Sequence, residues 1–180
     1  QQQYHNGITA LEIANSISKS LAKKTIAATI NGKQVDTYYP LTCSGELKFI
    51  TLDDEGDEVQ EIIRHDCAHL MAQAVKELYP EVQVTIGPAI ENGFYYDFVR
   101  ETPFKIDDLN KIEKKMRKLA EQNIEVSCEV WQRNEAKKFF LDQGETYKAE
   151  IIESIPEDQE ITLYRQGNFI DLCRGPHARS

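Results

Sequence analysis

The chain has 180 residues, 41% of them hydrophobic and 28% charged, with a formal charge of −9. That size and balance fit one globular domain or two small ones and exclude a disordered or fibrous chain. No apolar run approaches the ~20 residues needed to span a bilayer, and the acidic balance excludes a protein that coats DNA by neutralising phosphates. Four widely spaced cysteines (Cys43, Cys67, Cys128, Cys173) form no C-x-x-C pair, so free thiols in a reducing compartment, the cytoplasm, are expected. The opening "QQQYHNG" has no targeting pattern and reads as a cut end.

"ITALEIANSISKSLAKK" carries a capping box, Thr9 with Glu12, and the apolar positions Leu11, Ile13, Ile17 and Leu21 predict a helix broken near Ser16. "TIAATINGKQVDTYYPL" alternates about Asn31-Gly32, a two-residue hairpin signal, and "GELKFITL" is a further short strand. These predict a small α+β unit over residues 1–56, lacking its first strands. "DDEGDEVQE" holds six acids and no base, and residues 57–62 are expected to be an acidic linker. A second unit is then expected over 63–180.

That unit opens with "RHDCAHLMAQAVKELYP", where Ile63, Cys67, Leu70, Met71, Ala74 and Leu78 form one apolar face at helical spacing. His65 and His69 fall on the opposite side with Ala72, Gln73 and Lys76, which speaks against core histidines and leaves ordinary surface histidines as the plain alternative. "VQVTIGPAIENGFYYDFV" reads as two strands about an Asn92-Gly93 turn, with Phe94, Tyr96 and Phe98 on one face. An aromatic stripe of that kind is usually core. Gly87-Pro88 breaks the first strand, which marks a bulge or a close backbone approach to a ligand.

"IDDLNKIEKKMRKLAEQN" predicts an amphipathic helix with Leu109, Ile112, Met116 and Leu119 inward, and with Lys111, Lys114, Lys115, Arg117 and Lys118 outward as a solvated face or a phosphate-contacting strip. "IEVSCEVW" is a strand. "NEAKKFFLDQG" is a short helix with Asn134 as cap and Gly144 as stop, and "ETYKAEIIESI" brings Lys148 into a mixed stretch. In the closing "ITLYRQGNFIDLCRGPHARS", two strands flank Gly167-Asn168, with Phe169, Asp171 and Cys173 on one face and Ile170 and Leu172 on the other. Gly175-Pro176 turns the chain so that His177 can aim back towards Cys173.

The pairs H-x-x-x-H and C-x-x-x-H leave three chemistries open. His65, His69, Cys173 and His177 could hold zinc, since histidines at i and i+4 share a metal and a Cys–His pair completes four ligands. The set lacks the Glu of a metalloprotease helix. Metal-free hydrolysis is the second, with imidazoles moving protons, Lys148 stabilising an oxyanion and Asp171 orienting water or an ammonium group. Cysteine–histidine nucleophilic attack through Cys173 ranks last, because an activated ester needs no covalent intermediate.

The segments "RHDCAHLMAQAVKELYP", "IGPAIENGFYYDF", "ETYKAEII" and "FIDLCRGPH" closely resemble the N-terminal editing domain of bacterial-type threonyl-tRNA synthetases, and residues 1 to 52 resemble their TGS domain. The resemblance implies an α+β chain: a β-grasp TGS domain, then an editing domain of antiparallel sheet and packed helices. It implies hydrolysis of serine mistakenly esterified to tRNA(Thr), with the serine-bearing 3′ terminal adenosine as partner and with neither DNA nor membrane. His65, His69, Cys173 and His177 carry over as the cleft core, and Tyr96, Lys148 and Asp171 as substrate-handling and water-positioning residues. Tyr96 or Phe94 is expected to pack on the adenosine, and backbone at Gly87 and Pro88 to approach the substrate. The resemblance implies no cofactor in these domains, with zinc as the alternative, since a related alanyl-tRNA synthetase editing site holds it. ATP, magnesium and a further zinc are implied only for a catalytic domain expected beyond residue 180, which also carries most of the dimer contact, so this chain is expected to be monomeric and the full enzyme a homodimer. A free-standing trans-editing hydrolase and a non-catalytic tRNA- or protein-binding regulatory module are the alternatives. Two departures appear: Asp66 stands where the family often has Ser, and "HARS" replaces the usual continuation after the GPH motif.

Overall fold

The structure is a computed structural model that describes residues 2–180. It divides into two compact units, the first built from the described residues up to Ile63 together with Gly175–Arg179, the second from Arg64–Arg174 with Ser180.

In the first unit, β1 (Ile8–Thr9) leads into α1 (Ala10–Ile17), α2 (Lys19–Lys24), β2 (Thr25–Ile30), β3 (Lys33–Asp36), β4 (Pro40–Leu41) and β5 (Leu47–Thr51). The capping box forms as the sequence predicts. Thr9 Oγ1 accepts the Glu12 N–H at 3.2 Å while the Glu12 carboxylate accepts the Thr9 N–H at 2.8 Å. The Thr9 N–H and the Thr9 hydroxyl, both donating to the Glu12 carboxylate, hold that carboxyl below its ordinary range. The helical break falls at Ser18, not Ser16, because extended Ser18 both ends α1 and caps α2 by accepting the Leu21 N–H at 3.0 Å. Asn31 (φ 52°) and Gly32 (φ 80°) take the left-handed conformations of a type I′ turn. They join β2 to β3 in an antiparallel sheet of order β3-β2-β5, while β1 pairs with β4. β2 is buried along its whole length. Ala28 and Ile30 pack with Ile13 of α1, whereas Ile26 and Ala27 pack with Ile50 of β5 and with Val59 and Ile62.

Val59 and Ile62 lie on α3 (Asp57–Leu78), so residues 57–62 are the first turns of a helix and not a linker. The acids explain this: Asp57 and Glu58 occupy the first turn, where the unpaired N–H groups of a helix favour negative charge.

The second unit continues with β6 (Gln83–Val84), β7 (Ala89–Ile90), β8 (Gly93–Phe94), β9 (Phe98–Val99), α4 (Ile106–Glu121), β10 (Val126–Trp131), α5 (Arg133–Asp142), α6 (Thr146–Ser154), β11 (Ile161–Gln166) and β12 (Phe169–Leu172). Its main sheet is antiparallel, of order β10-β11-β12. The two expected strands around residue 92 are instead four short pieces, paired β6 with β9 and β7 with β8. Ile90 pairs with Gly93, so the turn is Glu91-Asn92, one residue earlier than predicted. Other expected faces shift as well. On α3, Ile63 and Leu78 are exposed while Ala68, Ala72, Ala74 and Val75 have no exposed surface. The helix is thus packed on more sides than its large apolar residues suggest, including the side that carries the histidines. On α4, Ile112 and Leu119 are buried as predicted, but Leu109 is exposed. α5 begins at Arg133 after Gln132, so Asn134 lies within the helix rather than capping it.

Candidate active site

Four elements of the second unit bring the chemistry together. α3 presents His65 and His69 one turn apart, their rings stacked with centroids 4.9 Å apart. β12 presents Asp171, and Cys173 follows it on the same face, as the period-two pattern predicts, while Ile170 and Leu172 pack against the opposite core with Phe140 and Leu163. α6 contributes Lys148 from its first turn. Tyr96 comes from the irregular stretch between β8 and β9 and packs on Ala68 and Ala72 of α3. The alanines matter here: their small side chains let the Tyr96 ring lie close to the helix between the functional groups.

These groups form a connected polar network. Lys148 Nζ lies 2.6 Å from Asp171 Oδ1 and donates to Tyr96 Oη at 3.3 Å, and Tyr96 Oη donates to Asp171 Oδ2 at 2.8 Å. Asp171 Oδ1 also accepts the Leu172 N–H at 2.8 Å, and His69 Nδ1 is 3.9 Å from Asp171 Oδ2. His65 Nε2 lies 3.0 Å from Cys173 Sγ. Asp171 and Lys148 are almost wholly buried. Burial by itself would raise the Asp171 carboxyl, yet the Lys148 ammonium, the His69 ring and the bonds from Lys148 and Tyr96 hold it below the ordinary range. The Tyr96 phenol is pushed well above its usual value, by burial first and then by the adjacent Asp171 charge. At neutral pH these shifts favour the carboxylate of Asp171 and the neutral phenol of Tyr96. Two N–H groups of Lys148 serve Asp171 and Tyr96, and among the described residues the third has no hydrogen-bond partner and can meet a ligand.

The network lines a cleft of about 540 Å³ that also has Thr85, Gly87, Pro88, Ile151 and Arg174 on its walls. Gly87 is close to the Tyr96 ring: a Cβ at this position would lie 2.1 Å from Tyr96 Cδ2. Gly87 therefore has no room for a side chain unless that ring moves. Phe94 does not line the cleft, because it packs into the cluster of Ala68, Ala72, Val84 and Tyr96. His177 belongs to the first unit, where its backbone N–H donates to Asp36 Oδ1 at 2.8 Å. Sequence reasoning missed Thr162. Its hydroxyl donates to the Cys173 carbonyl and its own carbonyl accepts the Cys173 N–H at 3.2 Å, fixing the residue that faces His65.

The donor atoms of His65, His69 and Cys173 lie within 4.8 Å of one another. Zinc binds imidazole at ~2.0–2.1 Å and thiolate at ~2.3 Å, so neighbouring donors in a tetrahedral site stand roughly 3.5 Å apart. The three residues fit such an ion with small side-chain adjustments.

Residues 1–51 match the family model described as "TGS domain". Over 179 residues, 99% of its length, the chain is 59% identical to a threonine–tRNA ligase from Rickettsia canadensis, and over 180 residues it is 55% identical to one from Bartonella bacilliformis. A third threonine–tRNA ligase, from Bartonella quintana, is 51% identical over the same 180 residues. The chain spans 28% of the Rickettsia protein and 27% of each Bartonella protein. An α+β chain with a TGS domain at its N-terminus, it thus resembles along its whole length the N-terminal region of threonine–tRNA ligases.

Proposed function

We propose that the second unit is a proofreading hydrolase that cleaves the ester of serine mistakenly joined to tRNA(Thr), within a protein whose further domains ligate threonine to that tRNA with ATP and magnesium in the cytoplasm. The observation that carries this reading is the convergence of His65, His69, Tyr96, Lys148, Asp171 and Cys173 on one cleft. The identity to threonine–tRNA ligases supports the choice of tRNA. The chemistry also supplies a motive. Serine lacks one methyl of threonine, and a pocket loses only ~1–3 kcal/mol for such a group, so selection by binding needs a second, hydrolytic site.

In this mechanism the serine-bearing 3′ adenosine enters the cleft. His65, held by Cys173, contacts the ribose hydroxyl beside the ester and takes the attacking water's proton through it, then returns that proton to the ester oxygen as the acyl C–O bond breaks and serine leaves. The free N–H of Lys148 orients the attacking water and then the oxyanion, while Asp171 and Tyr96 keep the ammonium aimed. His69 and Cys173 shape the pocket, and the wall at Gly87 and Pro88 is the part assigned to excluding threonine's methyl. His65, His69 and Cys173 would hold a zinc ion, and the chemistry it would supply there is Lewis-acid polarisation of the ester. The favoured reading needs none, because Lys148 already supplies positive charge at the ester.

The test is deacylation of Ser-tRNA(Thr) and Thr-tRNA(Thr) by this chain, with and without a chelator. Selective hydrolysis of the serine ester that survives chelation is expected. His65→Ala and Lys148→Ala are expected to lose at least 100-fold in rate, the scale of a general base or an oxyanion donor. Equal rates on both esters would remove the proofreading assignment.

A further inference from the structure

Lys148 sits at the third residue of α6, where the unpaired N–H groups of the helix start disfavour a cation. Something else must hold that helix end in place, and α6 does not cap itself. The residue before it, Glu145, makes no capping bond with its side chain. The cap comes from another element: Gln83 Oε1, on β6, accepts both the Thr146 N–H at 3.0 Å and the Thr146 hydroxyl at 2.8 Å. Glu145 reaches the opposite way, its Oε2 accepting the Val84 N–H of the same strand at 2.8 Å and its Oε1 pairing with Lys76 Nζ at 2.5 Å. Lys76 Nζ also donates to the carbonyls of Pro80 and Val82, each at 2.8 Å. Both bonded side chains converge on β6, which runs directly into the cleft wall at Thr85, Gly87 and Pro88.

We propose that Gln83 and Glu145, with Lys76, are positioning residues that set the reach of Lys148 into the cleft by locking the start of α6 to the strand that continues as the facing wall. The claim rests on the proofreading reading for its consequence on rate, but not for its consequence on geometry. The Lys148 ammonium keeps its contacts with Asp171 and Tyr96 only while its helix end stays seated. A displacement of about 1 Å at a reacting group can cost on the order of 100-fold in rate.

The experiment uses Gln83→Ala and Gln83→Glu in the full chain, because removing Glu145 strands Lys76 and threatens folding. Gln83→Glu keeps an oxygen acceptor at the same place. Two quantities are read in each folded variant. The first is kcat and KM for Ser-tRNA(Thr) deacylation, where Gln83→Ala is expected to lower kcat by roughly 10- to 100-fold with KM little changed, and Gln83→Glu to restore most of it. The second is the rate at which acetic anhydride labels Lys148, read by mass spectrometry against the other lysines. Loss of the cap is expected to raise that rate several-fold for Lys148 alone. A Gln83→Ala variant with wild-type kcat and unchanged Lys148 labelling would overturn the proposal. A wild-type chain without deacylase activity would sink the proofreading reading instead, and the labelling would still decide the clamp.

Discussion

Asp171 shows how a buried carboxylate stays charged. Its burial pulls one way, while the Lys148 ammonium, the His69 ring and two hydrogen bonds pull harder the other way. Lys148→Met leaves that charge unpaired and is expected to lower unfolding free energy by roughly 3–5 kcal/mol, read from denaturant midpoints. Adding Asp171→Asn to the same chain should recover part of the loss; a neutral single variant would mean the pair is not held. The pH dependence follows from the sign of the shift. A carboxyl held below its ordinary value contributes stability in full above the unfolded value of ~3.9 and loses it as pH falls through the lower folded value. Melting temperatures measured from pH 7 down to about 2 should therefore fall less steeply for Asp171→Asn than for the wild type. Tyr96 acts in the opposite range: its raised phenol contributes stability below about pH 10 that fades as pH climbs past it.

At the scale of elements, the cleft depends on two close approaches. Ala68 and Ala72 let the Tyr96 ring lie against α3, and Gly87 lets the wall lie against the same ring. Gly87→Ala places a methyl where the ring already is, so it is expected to cost roughly 1–3 kcal/mol of stability by overpacking. It should also cut Ser-tRNA(Thr) hydrolysis by at least 10-fold, because the displaced ring carries the hydroxyl that joins Lys148 to Asp171. A variant with normal stability and turnover would show that the ring is not held there. The α3 pattern also explains a misreading. A helical wheel weights the large apolar side chains, which marks Ile63 and Leu78 as buried, whereas the positions with no exposed surface are mostly alanines that the wheel scores weakly.

For the molecule as a whole, the acidic stretch is where the sequence reading and the structure part most clearly. Six acids without a base suggest a solvated linker, but Val59 and Ile62, spaced three apart among them, are among the most buried residues of the first unit. A chain cut to begin at Asp57 would strip Ile26, Ala27 and Ile50 from those two side chains. It is expected to expose ~1.5–3 kcal/mol of burial at each and to bind a hydrophobic dye. Replacing both by Gln should abolish the dye binding, and a dye-negative parent fragment would contradict this account.

Local rules reached much of this protein. The capping box at Thr9, the Asn31-Gly32 turn, the helical run of α4 and the alternation that sets Asp171 and Cys173 on one face all follow from contacts within a few residues, where backbone geometry leaves few options. The motifs around His65, Lys148 and Cys173 likewise named the groups that line the cleft. Only the tertiary structure decided how they meet: that Tyr96 bridges Lys148 and Asp171 across 52 and 75 residues of chain, that Phe94 turns to the core, and that Gln83 caps a helix 63 residues away. Such pairings are set by how separate elements pack, and no periodicity within a single segment encodes the distance between two of them.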